Sequence, residues 1–161
     1  MAGKTVRYGD FESIVAVNRG VVLLTKEPHE YSRPDGEKLK EILAEIRERA
    51  DGEKTEEAVK DKASFLVYKL ASGQHFRSGN KRTALVAGLV FLRKNGFKID
   101  ITNPELVSAV DRVGVAAASL DDLFDVISKL VIKTTPERKS WESAIKQVIE
   151  DNREFLTDLG S

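Results

Sequence analysis

The chain has 161 residues, of which 41% are hydrophobic and 32% are charged, a composition typical of one folded domain with a well-solvated surface. Lysine plus arginine and aspartate plus glutamate number 26 each, so no net charge attracts nucleic acid or an acidic membrane, and a local site must bind any phosphate. The sequence has no cysteine and two histidines, which excludes disulfides, thiol nucleophiles and metal sites built from several histidines.

The sequence carries no recognisable targeting or membrane signal. Its first residues lack the apolar run of a signal peptide. No stretch approaches the roughly 18 apolar residues of a membrane-spanning helix. We therefore expect a cytoplasmic protein whose partners include neither nucleic acid nor a membrane.

Apolar periodicity predicts helices throughout the first half of the chain. Asp10 is a suitable cap for a first helix, and Asn18 falls on the apolar face of that helix. Asn18 is either a core amide with satisfied hydrogen bonds or a side chain that steadies the loop of a functional site. Two further helices are expected at about 37–50 and 54–72. Before them, residues 26–36 are rich in turn formers and have no helical period.

The fourth predicted helix begins near Asn80 and ends at the pair Asn95-Gly96. Its residues are apolar on nearly every side, so we expect it to be the buried centre of a helical bundle. Gly88 lies inside this helix, and a close crossing with another helix would explain it.

Capping signals predict the helices of the second half. Residues 97–101 alternate in polarity but are too short to build a sheet. The Asn-Pro pair at 103–104 begins one helix, and Ser119 begins another with the pattern of a capping box. Residues 135–137 are expected to begin a long last helix, whose apolar stripe is interrupted by Asn152.

These elements predict an all-α protein in two parts. Residues 1–131 form the core, and residues 132–161 form a C-terminal helical extension. The apolar stripe within 137–159 indicates that the extension packs on the core or on a partner, and the sequence does not decide between them.

A candidate anion site lies where a loop becomes the fourth helix, at Gly79-Asn80-Lys81-Arg82. Helix N-termini present backbone N–H groups and a partial positive charge, and Gly79 allows a ligand to approach the backbone. Lys81 and Arg82 place two cations against the helix dipole, which a bound anion would explain. The alternative is that Arg82 pairs with an internal carboxylate while Lys81 is solvated.

The segment 74–82, Gln-His-Phe-Arg-Ser-Gly-Asn-Lys-Arg, resembles the signature of the Fic/Doc family, His-x-Phe-x-Asp/Glu-Gly/Ala-Asn-Gly/Lys-Arg. The similarity continues through residues 83–85, 91–96, 103–106 and 119–131. It implies a Fic/Doc-type helical bundle around a buried central helix, extended here by the long C-terminal helix. It also implies ATP or another nucleotide as donor, a protein hydroxyl as acceptor, and Mg²⁺ beside the acidic position. Lys81 is typical of the Doc branch, which implies protein kinase activity.

The resemblance also assigns binding residues and partners. The segment 26–36 would correspond to a flap that holds the target protein, and the stripe within 137–159 would serve an antitoxin or self-association. The residues expected to contact the nucleotide are Phe76, Ser78, Gly79, Asn80, Lys81 and Arg82.

Two positions depart from the family pattern, and both affect chemistry rather than fold. Gln74 stands where the family has its catalytic histidine, and its amide can orient a target hydroxyl but cannot take the proton. Ser78 stands where the family has an acid, and serine is a weaker ligand for Mg²⁺ than a carboxylate. Shifting the alignment by one residue would make His75 the base, at the expense of the spacing to Phe76. Gln74 and His75 are therefore the catalytic candidates, and no residue is assigned as a metal ligand.

Three functions remain open from the sequence. The first is a Doc-like enzyme that transfers a phosphoryl or nucleotidyl group to a protein hydroxyl, weakly because of Gln74. The second is a catalytically degenerate relative that binds a nucleotide as a regulatory module. The third is a helical interaction protein in which the C-terminal helix is the working part.

Overall fold

The computed structural model describes residues 5–25, 34, 36–49 and 55–159. Within these ranges the elements are α1 (Phe11–Leu24), α2 (Gly36–Glu48), α3 (Glu56–Ser72), α4 (Asn80–Lys94), β1 (Phe97–Lys98), α5 (Pro104–Gly114), α6 (Leu120–Leu130), β2 (Ile132–Lys133), α7 (Trp141–Asp151) and α8 (Arg153–Leu159). The predicted all-α class is confirmed. None of the helices in these ranges is both long and apolar enough to cross a bilayer.

The predicted caps begin the helices where the sequence indicates. The Asp10 side chain accepts a hydrogen bond from the backbone N–H of Ser13, at 2.9 Å, and so starts α1. Asn103 caps α5, and Ser119 forms a complete capping box with Asp122 at the start of α6. Local side-chain acceptors satisfy N–H groups that the helix itself leaves without partners.

Helix α4 is the centre of the bundle, as its all-round apolarity predicted. It packs against α3, α1 and α7, and its residues from Arg82 to Leu92 are all buried. At its crossing with α3, a Cβ added to Gly88 would lie 2.4 Å from Cγ2 of Val67. The predicted close crossing is therefore confirmed, and it requires glycine because the branched valine has little rotamer freedom in a helix.

Residues 97–98 form one strand of a short sheet, which corrects the prediction that residues 97–101 are too short to build one. Phe97 pairs with Lys133 and Lys98 pairs with Ile132, in antiparallel register. The backbone N–H of Thr134 also donates to the carbonyl of Gly96, at 2.9 Å. The sequence of one strand did not reveal this pairing because its partner follows α6, more than thirty positions away.

The prediction of one long last helix beginning at 135–137 is wrong. The backbone N–H of Glu137 donates to the carbonyl of Arg93 at 2.8 Å, which ties the segment to the end of α4 instead. The helix begins only at Trp141, after the cap Ser140. It breaks at Asn152, whose side-chain amide donates to the Val148 carbonyl at 2.8 Å and competes with continued helix.

The C-terminal segment packs on α1 and α4. Ile145, Val148 and Leu156 are buried in the same apolar cluster as Val21 of α1. The ammonium of Lys94 donates to a backbone carbonyl just before α7 and lies over the ring of Trp141. These contacts join both segments in one core, and the division at residue 131 stays a prediction.

Candidate functional site

The loop between α3 and α4 has an unusual backbone at both of its ends. Gln74 has a φ of 50° and Gly79 a φ of 77°, and both lie in the left-handed region. Gly79 is the N-cap of α4, and no side chain caps this helix. A Cβ at Gly79 would also meet the side chains of Asn18 and Val21 at 3.3 Å. Glutamine is rarely left-handed, and such conformations concentrate at functional sites.

Asn80 closes the loop on itself. Its Oδ1 accepts a hydrogen bond from the backbone N–H of Phe76, at 3.0 Å, and its Nδ2 donates to the carbonyl of the same residue, at 2.8 Å. The Phe76 side chain is buried in the core. The two ends of the segment between Phe76 and Asn80 are therefore held in fixed positions.

Asn18 attaches the loop to α1. Its Nδ2 donates to the Ser78 carbonyl at 2.8 Å and lies 3.1 Å from Oγ1 of Thr83. Both interpretations of Asn18 from the sequence hold together, because the residue is a buried amide with satisfied bonds and also the support of the loop.

The two cations of the motif point in different directions. The guanidinium of Arg82 is buried, with the residue 1% exposed, and its Nη1 donates to the Val21 carbonyl in the last turn of α1, at 2.8 Å. Lys81 instead pairs with Asp111 of α5, with 2.7 Å between Nζ and Oδ1. Lys81 is thus the motif cation at the surface, and direct phosphate binding by Arg82 stays a prediction.

A cleft of about 500 Å³ opens between the loop and α5. Five of the predicted site residues line it, namely Gln74, Ser78, Gly79, Asn80 and Lys81. The other charged residues of the lining are Arg77, Asp111 and Arg112. Three cations thus face one carboxylate, an arrangement that favours a bound anion.

The structure keeps His75 and Phe76, like Arg82, away from the lining of this cleft. Nε2 of His75 lies 3.0 Å from the Lys69 carbonyl in the last turn of α3. Gly73 makes room for this ring, because a Cβ there would lie 2.0 Å from Nε2. Burial lowers the pKa of His75, and the nearby charges of Lys38 and Lys69 act in the same direction.

Asp111 and Arg112 were missed from the sequence. They lie on α5, about thirty positions beyond the motif, and only the packing of α5 beside the loop brings them to the cleft. No local pattern around either residue distinguishes it from the other polar residues on the surface of a helix.

The lining fits a magnesium ion poorly. No group of three or more histidine, cysteine, aspartate or glutamate residues suited to a metal occurs in the described ranges. Ser78 offers a neutral hydroxyl, and the carboxylate of Asp111 is already paired with Lys81. Mg²⁺ prefers charged oxygens, so these residues alone supply too few ligands.

The part of the chain that contains this loop is similar to known proteins. The model of the Fic/DOC family matches residues 10–92, which span α1 to α4 and the loop. The chain is also 30% identical over 89 residues to the protein kinase doc of Escherichia phage P1. That alignment covers 55% of this chain and 69% of the phage protein. The family match ends before α5, so Asp111 lies outside it.

Replacing Asn18 by alanine should loosen the loop selectively. The Ser78 carbonyl loses its donor, which costs about 1–3 kcal/mol in the free energy of unfolding. Amide hydrogen exchange in residues 74–80 should accelerate as well, because α1 no longer fixes the loop.

The matched control for Asn18→Ala is Asn152→Ala, which removes an amide that bonds only within its own helix region. This control should leave exchange in the loop unchanged. Equal acceleration by both variants, or by neither, would contradict the proposed attachment.

His75 should make the protein less stable as the pH falls. Because the folded-state pKa of His75 lies below the ordinary histidine value of 6.5, the unfolded chain binds more protons between the two values. Stability is therefore full above about pH 6.5 and decreases as the pH falls through that value toward the folded pKa. Urea unfolding at pH 7.5 and 5.5 should show a smaller decrease for His75→Gln than for the parent. An identical decrease would mean that His75 does not titrate differently on folding.

Proposed function

The chain belongs to the Fic/DOC family, and from this membership we propose a transferase of the Fic type that binds the phosphates of a nucleotide in the cleft at the start of α4. The observation that carries the proposal is the cleft itself. It combines an uncapped helix start at Gly79 with the ammonium of Lys81.

The phosphate would be held by charge and by backbone donors. The first N–H groups of α4 have no acceptors within the helix, and Asn80 and Lys81, which carry two of them, line the cleft beside Gly79. Lys81 lines the same space, and Arg77 and Arg112 add positive charge. Hydrogen bonds to charged groups contribute about 1.5–3 kcal/mol each, so three of them supply at most about 9 kcal/mol. An association cost of at least about 4 kcal/mol leaves, at best, binding just tighter than millimolar.

Arg82 would stabilise the backbone of this site. Its guanidinium joins the start of α4 to the end of α1 through the Val21 carbonyl. The buried positive charge also adds to the positive potential at the start of α4.

The proposed reaction is transfer of a phosphoryl or nucleotidyl group to a protein hydroxyl. Gln74 in the cleft orients the acceptor hydroxyl, whose oxygen bonds to the phosphorus of the transferred group. The rest of the nucleotide leaves as a nucleoside diphosphate or as pyrophosphate, and the hydroxyl proton passes to water. A positioned general base typically contributes about 10²–10⁴-fold, and the amide of Gln74 cannot provide it. We therefore expect transfer to be slow. The protein kinase doc supports the transferase class for this chain through its similarity.

A nucleotide-binding module with little chemistry is the second candidate. It is favoured by the same two residues, because Gln74 and Ser78 line the cleft where a base and a metal-binding acid would be needed. In this case the ligand-bound state regulates a partner protein.

Two partner surfaces remain proposals. The flap expected at 26–36 lies outside the described residues except for Pro34 and Gly36. The stripe within 137–159 already contacts α1 and α4, so an antitoxin or a second copy would use the face of α7 and α8 that the core leaves exposed.

Lys81→Ala should weaken nucleotide binding by about 10- to 100-fold, because a charge-assisted contact with phosphate is lost. Titration calorimetry with ATP, with and without Mg²⁺, measures the affinity. Lys129→Ala is the matched control, since Lys129 is an exposed lysine that pairs with Glu105 away from the cleft. No heat of binding with the parent, or equal weakening by both variants, would overturn the proposed site.

The double substitution Gln74→His with Ser78→Asp should increase transfer by about 10²-fold or more, because it supplies a base and a carboxylate. Histidine also tolerates the left-handed backbone at position 74 better than most residues do. The assay follows labelled ATP incubated with a cell extract, and Gln74→Ala with Ser78→Asp serves as control. Labelling that stays at the parent level despite retained ATP binding would favour the binding module.

A further inference from the structure

The cleft contains one carboxylate among its described lining residues, and it belongs to Asp111. Its Oδ1 lies 2.7 Å from Nζ of Lys81, the cation that the proposed function assigns to the phosphate. Both side chains are partly exposed, at 47% for Asp111 and 30% for Lys81. The ion pair is therefore at the cleft surface, where an incoming anion can reach it.

This ion pair opposes anion binding in two ways. The ammonium of Lys81 already donates to a carboxylate, so a phosphate oxygen must compete for the same donor. In addition, the negative charge of Asp111 repels a ligand of the same sign at short range. Neither effect requires a change in the backbone, because the lysine side chain has several rotatable bonds.

We propose that Asp111 limits the anion affinity of the cleft, acting as an internal competitor that a phosphate must displace from Lys81. The inference rests on the proposed phosphate site. A ligand carboxylate would exchange one carboxylate for another at Lys81, with nothing gained. A phosphate with greater charge and three acceptor oxygens gains more contacts there. Asp111 thus sets a threshold for binding that a phosphate passes and a carboxylate ligand does not.

The expected size of the effect follows from the exposure of the pair. Ion pairs at the surface are worth at most about 1 kcal/mol, which corresponds to about fivefold in affinity. Removal of the like charge adds to this. Asp111→Asn should therefore bind inorganic pyrophosphate about three- to tenfold more tightly than the parent when metal is removed by a chelator.

The test uses calorimetry with inorganic pyrophosphate and with succinate, in chelator and at constant ionic strength, and the pyrophosphate titration is repeated in Mg²⁺. Glu105→Gln is the matched control, because Glu105 lies on the same helix and pairs with Lys129 outside the cleft. It removes the same charge and should leave the affinity unchanged. Asp111→Glu, which keeps the carboxylate, should remain near the parent. In a Lys81→Met background, the gain from Asp111→Asn should fall below half.

The outcomes separate this inference from the function on which it rests. The competitor role is supported if Asp111→Asn binds pyrophosphate more tightly than the parent while Asp111→Glu and Glu105→Gln do not. Asp111→Asn should then also gain binding of succinate. Parent binding that Asp111→Asn leaves unchanged overturns the inference and keeps the phosphate site. Weaker binding by Asp111→Asn in Mg²⁺ also overturns it, because Asp111 would then serve as a metal ligand. No binding by any variant overturns the proposed function together with the inference.

Discussion

The hydrogen bonds between α1 and the start of α4 determine the shape of the candidate site. Asn18 donates to the loop at Ser78, and the carbonyl of Val21 accepts from Arg82 in the first turn of α4. Both donor side chains are buried, and the loss of a buried hydrogen bond is costly. The loop cannot shift relative to α1 without breaking these bonds, and so Gly79 stays in the lining of the cleft.

With the loop held against α1, the motif residues have two different roles. Phe76 and Asn80 fix the loop by burial and by hydrogen bonds between them, and Arg82 joins two helices. Gln74 and Lys81 are left to face the cleft. Most residues of the signature thus hold the loop in place, and they present Gln74 and Lys81 to the cleft. This division explains how the chemistry can change at positions 74 and 78 while the fold around them is kept.

The sequence predicted those parts of the structure that depend on neighbouring residues. The caps at Asp10, Asn103 and Ser119 act within one turn, so their patterns were sufficient. The start at 135–137 carried an equally good local pattern and failed, because its backbone is bonded to the end of α4. The direction of the Arg82 side chain was not predictable for the same reason, since its acceptor belongs to the end of α1.

The electrostatics of the cleft likewise depend on elements that are distant in the sequence. Judged from the motif alone, the site has cations and no negative charge after the replacement of the family acid by Ser78. Packing of α5 beside the loop brings one carboxylate, that of Asp111, to the cleft, where it forms an ion pair with Lys81. In this position the carboxylate cannot simply replace an acid at Ser78, because it is already paired with the ammonium of Lys81. The charge balance of the cleft is therefore set jointly by the motif and by a helix outside the matched family region, and two relatives with identical motifs can differ in it.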